Sequence, residues 1–134
     1  MAQDYVFDSS AVIAYLQEEP GTEVVDHMIE EATQTGSKLF ITAMNMSEVW
    51  HIVARVRKDA DAVIAQLLNI GFQIVDVDWP LARVCAQLKL KYKLSYNDCC
   101  AAALASTLNL ILVTCDYDFK ALNQEIKLRW LKKH

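Results

Sequence analysis

Four acidic residues, Asp8, Glu48, Asp98 and Asp116, stand at or near points where the sequence predicts a helix to begin. Asp8 and Asp116 follow directly on short apolar runs, and Glu48 follows another after a short loop. Each has a local reading, because Asp at such a position caps a helix. Asn45-Met-Ser-Glu48 and Ser95-Tyr-Asn-Asp98 have the spacing of capping boxes, the second with Asp in place of Glu. Their joint recurrence has a different consequence. Carboxylates brought to one place repel one another, and some must take up protons unless a cation stands between them. Mg²⁺ takes oxygen ligands and keeps several waters, so a few carboxylates on separate elements can hold it. A divalent ion lowers the pKa of a bound water, and a second can stabilise a leaving oxygen. Hydrolysis of a phosphodiester needs both services and no nucleophilic Ser or Cys, and none here has a plausible triad around it.

The elements that must bring these acids together alternate between strand and helix. Strands are expected at Tyr5–Phe7, Leu39–Thr42, Phe72–Val77 and Leu110–Thr114, with a weak last one around 126–131. Ala11–Leu16 is apolar on all sides and reads as a buried helix. A second helix has apolar residues from Val24 to Ala32 at helical spacing, with Thr22 as its expected N-cap. Met46 to Val53 repeats that spacing, and Val63 to Leu68 makes a helix ended by Gly71. Asp78 reads as the N-cap of a helix with Pro80 in its first turn. Asp98–Leu108 is Ala-rich and helical, with Asn109 as its stop. This order predicts an α/β fold, a three-layer α/β/α sandwich around a mostly parallel sheet. In such a sheet the strand C-termini and the following helix N-termini share one edge, where ligands bind. Asp8, Glu48 and Asp116 fall there by that rule. Asp98 has no strand directly before it.

At 134 residues the length is that of one domain. A composition of 54% hydrophobic and 22% charged residues excludes a disordered chain. A net charge of −4 argues against a general nucleic-acid binder but not against an enzyme whose acids hold metal. Cys85, Cys99, Cys100 and Cys115 form no C-x-x-C pair and sit in apolar stretches. They are expected to be core residues in a reducing compartment rather than zinc ligands. The start carries no signal-peptide pattern and no run is long enough to span a membrane, so the expected location is the cytoplasm.

Around the four acids the sequence resembles the PIN-domain ribonucleases, most closely the VapC-type toxins of toxin–antitoxin pairs. Val6-Phe-Asp8-Ser-Ser-Ala-Val-Ile-Ala-Tyr-Leu16 resembles the family's first motif and Met44-Asn-Met-Ser-Glu48-Val the second. Leu94-Ser-Tyr-Asn-Asp98-Cys-Cys-Ala-Ala-Ala resembles the third and Leu112-Val-Thr-Cys-Asp116-Tyr-Asp118-Phe the fourth. The ordered set is far more specific than any one motif. The resemblance implies a single PIN-like nuclease domain over 1–134. It implies Asp8, Glu48, Asp98 and Asp116 as catalytic metal ligands for Mg²⁺ or Mn²⁺, with Asp118, Thr114 and Ser9 as helpers. It further implies an RNA substrate, a cognate antitoxin that masks the site, and a homodimer. Two departures stand out: Cys115 where many members have Gly, and Asn97 where a small or apolar residue is common.

Two basic clusters, Arg55, Arg57 and Lys58, and Lys89, Lys91 and Lys93, are candidates for phosphate contacts. They read equally as solvated helix faces. Glu48 and His51 share a helix face at the spacing of di-iron bundles, but a second copy is missing. Two other functional classes compete. A phosphoryl-transfer or phospho-acceptor domain would use Asp8 as acceptor, yet Ser10 stands where one such pattern needs a second Asp. A catalytically silent PIN-like module would bind antitoxin or RNA without keeping a metal site.

Overall fold

The computed structural model describes residues 3–56 and 59–131. Five short strands form one wholly parallel sheet: β1 (Tyr5–Phe7), β2 (Leu39–Thr42), β3 (Phe72–Val75), β4 (Ile111–Thr114) and β5 (Leu128–Trp130). Their order across the sheet is β3-β2-β1-β4-β5. The chain therefore winds outward from β1 in one direction, then returns to the other side of β1 to place β4. In sheets of this kind ligands bind at the carboxyl edge where the winding reverses, and Asp8 and Asp116 follow the two strands that flank that point.

Residues alternate between two cores, as strand geometry requires. Val6 and Leu112 face α5 (Trp79–Lys91) and α6 (Tyr96–Leu108). Phe7, Leu39, Ile41 and Val113 face a second core built with α1 (Ser9–Leu16), α2 (Thr22–Thr35), α3 (Ala43–Val56) and α4 (Ala60–Asn69). Phe7 meets Phe72 edge to face at 5.1 Å, which ties β1 to β3 across β2. The run Cys99 to Ala105 is buried throughout, and its small side chains let α6 lie against both α5 and the sheet. This is the expected three-layer α/β/α architecture. Among the described residues no helix is long and apolar enough to cross a membrane.

Several boundaries differ from expectation for identifiable reasons. β3 ends at Val75 rather than Val77 because its ladder partner β2 ends at Thr42, opposite Val75. Leu110 stays outside β4 because its N–H donates to the Ala105 carbonyl at the end of α6. The last strand is confined to the three residues paired with Leu112–Thr114. Thr22 is the first residue of α2 and not its cap; that position is Gly21, in the left-handed region with φ +97°. Asn45 is likewise inside α3. The hydroxyl that receives its backbone N–H belongs to Thr42, so the expected capping box over 45–48 does not form. Asp8, Asp78, Ser95 and Asp116 do cap their helices.

Gly21 has a second constraint. A Cβ there would lie 2.1 Å from the backbone oxygen of Leu131, whereas one at Gly36, φ +77°, would meet nothing within 4 Å. Gly36→Ala is expected to cost about 1 kcal/mol from its backbone conformation alone. Gly21→Ala should cost clearly more, about 2–4 kcal/mol, since backbone must also move. Urea unfolding of the two variants tests this; equal losses would contradict it.

Candidate active site

Asp8 is the most confined of the acids, with 2% of its surface exposed. Its N–H donates to the Val113 carbonyl at 3.2 Å, which extends the β1–β4 ladder by one residue and fixes its backbone. Both carboxylate oxygens receive donors. The Ala11 N–H reaches Oδ1 at 2.9 Å, as the N-cap of α1. The Ser10 hydroxyl is shared between Oδ1 and Oδ2 at 2.8 and 2.9 Å. Thr114, at the end of β4, donates to Oδ2 at 2.6 Å. The Ser10 oxygen in turn accepts the Cys115 N–H at 3.0 Å, and Thr114 Oγ1 accepts the Asp116 N–H at 2.9 Å. One network of hydroxyls thus joins the first acid to the segment that carries the fourth.

The other acids come from separate elements. Glu48 lies on the second turn of α3, half-buried, and accepts a 2.5 Å hydrogen bond from Ser9 Oγ of α1. Asp98 lies in the first turn of α6, where its N–H is received by Ser95 Oγ at 3.1 Å. Asp116 caps the 3-10 turn Tyr117–Leu122 by accepting the Asp118 N–H at 2.9 Å. Asp118 itself is exposed. So capping and clustering are not alternatives here: helix N-termini deliver these acids to one edge of the sheet.

The acids act on one another electrostatically. Burial pushes the Asp8 carboxyl up to about 7, against the pull of its Thr114, Ala11 and Ser10 hydrogen bonds, and the charge of Asp98 adds to the rise. Burial likewise raises Asp98 to about 6, helped by Asp116, Glu48 and Asp118 and opposed by the Ser95 bond. Asp98 therefore feels or is felt by every other acid of the set. Among the described residues no basic side chain forms an ion pair with these acids; the one ion pair joins Lys91 to Glu125.

A hard divalent cation fits this donor set, which is made of carboxylate oxygens braced by hydroxyls. Among the described residues no three acidic, His or Cys side chains yet converge as a metal-holding group. The acids share a field without forming a finished coordination shell.

Other expected participants are distributed differently. Thr114 holds Asp8, and Ser9 holds Glu48. Arg55 is exposed in the last turn of α3, and Lys93 is exposed before α6. Arg57 and Lys58 lie outside the described residues. Lys89 donates to the Leu94 carbonyl at 2.7 Å and sits 5.6 Å from the Tyr96 ring centre, while Lys91 pairs with Glu125 at 3.4 Å. Lys89 thus braces the segment that leads into α6. His51 is exposed. Cys115 contributes its backbone N–H, a group any residue but proline supplies, so its departure from Gly leaves this contact unaltered. Cys85 and Cys100 touch at 3.4 Å, and burial pushes the Cys85 thiol up to about 12. Sequence reasoning missed Ser10, Thr42 and Asn45, whose partners lie on other elements.

A family model described as PIN domain matches residues 5–125, and the chain belongs to that family. No curated protein sequence gives a match. Among solved structures, the chain resembles the DNA-bound VapBC complex of Salmonella typhimurium, with a TM-score of 0.74 at 14% identity over 97% of this chain and 99% of that one. VapBC2 of Rickettsia felis, bound to a fragment of its promoter, gives 0.74 at 16% identity over 95% and 98%. VapC20 of Mycobacterium tuberculosis, described as a toxin that cleaves the sarcin–ricin loop, gives 0.62 at 16% over 88% and 94%. At these identities the likeness is one of fold.

The raised Asp8 carboxyl has a consequence for stability. The native state holds this proton more tightly than the unfolded chain, whose value is near 3.8. That stabilisation is fully present below pH 3.8 and is lost as pH rises through about 7. In metal-free protein, Asp8→Asn should therefore raise the unfolding free energy by a few kcal/mol at pH 8 and by little at pH 4. Chelator-treated urea titrations at the two pH values check this, and an equal effect at both would contradict it.

Proposed function

We propose that this chain is a metal-dependent endoribonuclease and the toxin of a type II toxin–antitoxin pair. The observation that carries the reading is the buried Asp8 carboxylate at the reversal point of the sheet, surrounded by acids from three other segments with, among the described residues, no basic side chain in an ion pair with them. Asp8, Glu48, Asp98 and Asp116 would hold Mg²⁺ or Mn²⁺. When bound, such an ion supplies charge stabilisation for a phosphodiester undergoing in-line attack by water and makes that water more acidic.

The chain's own groups supply positioning. Ser10, Thr114 and the Ala11 N–H fix both oxygens of Asp8, and Ser9 fixes one oxygen of Glu48. A carboxylate held this way loses little rotational freedom when it takes up a ligand. The phospho-acceptor reading fits less well, because Ser10 stands where one such pattern needs a second Asp.

RNA as substrate draws support from the related toxin described as cleaving the sarcin–ricin loop. An antitoxin partner draws support from the toxin–antitoxin complexes that share the fold. Arg55 and Lys93 are exposed and are candidates to meet phosphate. A homodimer is part of the same proposal, and the exposed Met44, Trp50 and Ile74 offer apolar surface to a protein partner.

The test is cleavage of a panel of structured RNAs on a denaturing gel with Mg²⁺, Mn²⁺ or EDTA. Wild type is expected to cut only with metal, and Asp8→Asn and Asp98→Asn to lose at least about 100-fold in rate. Cleavage by Asp8→Asn at the wild-type rate would defeat the proposal. A folded wild type that neither cuts nor binds Mg²⁺ would favour the silent module.

A further inference from the structure

The third acid has no strand to place it, yet it sits among the others. The contact that accounts for this is made by Asn45. Its side chain is fully buried, as is that of Thr42 at the end of β2. Thr42 Oγ1 accepts the Asn45 N–H at 3.0 Å and donates to Asn45 Oδ1 at 2.5 Å. That leaves the amide nitrogen directed away from β2, and Nδ2 donates to the backbone oxygen of Asn97 at 3.1 Å. The orientation is chemically determined, since a carbonyl only accepts and must face the nitrogen.

The Asn97 oxygen belongs to the peptide unit that precedes Asp98. The N–H of the same unit, on Asp98, is received by Ser95 Oγ at 3.1 Å. This peptide is therefore held at both ends, by α3 through its C=O and by the α6 cap through its N–H. A peptide held at both ends fixes the direction in which the Asp98 side chain leaves the backbone. On α3, Asn45 and Glu48 are three residues apart and share a face. The amide thus ties the helix face that carries the second acid to the turn that carries the third.

We propose that Asn45 is a positioning residue of the metal site, which sets Asp98 relative to Glu48 by clamping the Asn97–Asp98 peptide. The inference rests on the metal-site reading above. It assigns Asn45 a function through Asp98, with no contact to ion or substrate. Residues that orient a metal ligand typically change affinity or activity by about 10–100-fold when removed. Loss of the amide should therefore appear in metal affinity and not only in stability.

The experiment measures Mn²⁺ binding to the purified full chain at pH 8 by calorimetry, with free Mn²⁺ counted by EPR. Four proteins are compared: wild type, Asn45→Ala, Asn45→Ser and Leu67→Ala. Ser keeps a hydroxyl for Thr42 but is too short to reach Asn97, so it guards against a variant that fails to fold. Leu67 lies in the buried core on α4, which carries none of the four acids, and its truncation reports general loosening. Both Asn45 variants are expected to bind Mn²⁺ at least about tenfold more weakly than wild type, with Leu67→Ala within twofold of it. Asn45 variants that bind as wild type does would overturn the inference. So would a Leu67→Ala variant that weakens binding as much as they do. Failure of wild type itself to bind Mn²⁺ would overturn the metal-site reading first, and this inference with it.

Discussion

The burial of the Asp8 carboxylate between β1 and β4 is the constraint on which the site depends. A carboxylate that has lost nearly all contact with water needs donors on both oxygens. Here they come from the first turn of α1 and from Thr114, which lies 106 residues along the chain. Thr114 can reach it only because the sheet reverses its winding at β1 and sets β4 beside it. The same hydroxyl then receives the Asp116 N–H, so the arrangement that satisfies the first acid also orients the start of the segment bearing the fourth.

Hydrogen bonds satisfy Asp8 as an acceptor without neutralising its neighbours. Its carboxyl lies about three units above the ordinary value despite the three kinds of donor around it, because desolvation outweighs them and Asp98 adds its charge. Asp98 is displaced upward as well, by burial and by Asp116 and Glu48. A fold selected for stability alone would not assemble such a group, since buried like charges without a counter-charge are costly. The cost falls at one edge of the sheet, where ligands bind in folds of this kind. A divalent cation held there, as proposed, would reverse the sign of these interactions for Asp8 and Asp98.

Much of this was legible in the sequence because it rests on local rules. Apolar runs bounded by acids marked the strands, and helical spacing marked the helices between them. The alternation of the two fixed a parallel sheet, and thereby the edge on which Asp8, Glu48 and Asp116 fall. What escaped were contacts between distant segments. Ser10 entered only as a residue that is not Asp; its bonds to Asp8 and to the Cys115 N–H require β1 and β4 to be neighbours. Asn45 was misread because Asn-x-x-Glu imitates a capping box, whereas Thr42 does the capping and frees the amide to reach Asn97. Lys89 and Lys91 are candidates for phosphate contacts or for solvated helix faces on charge alone, and their bonds to the Leu94 carbonyl and Glu125 become visible only in the folded chain.

Burial and neighbouring acids raise the carboxyls of Asp8 and Asp98, and the proposed divalent cation would relieve them. The most direct test is the titration of the Asp8 side-chain carboxyl by ¹³C NMR, first in metal-free protein and then with saturating Mg²⁺. A midpoint near 7 is expected without metal, moved down by more than about one unit when Mg²⁺ is present. A midpoint near 3.8 in the metal-free protein, or one that Mg²⁺ leaves in place, would contradict it.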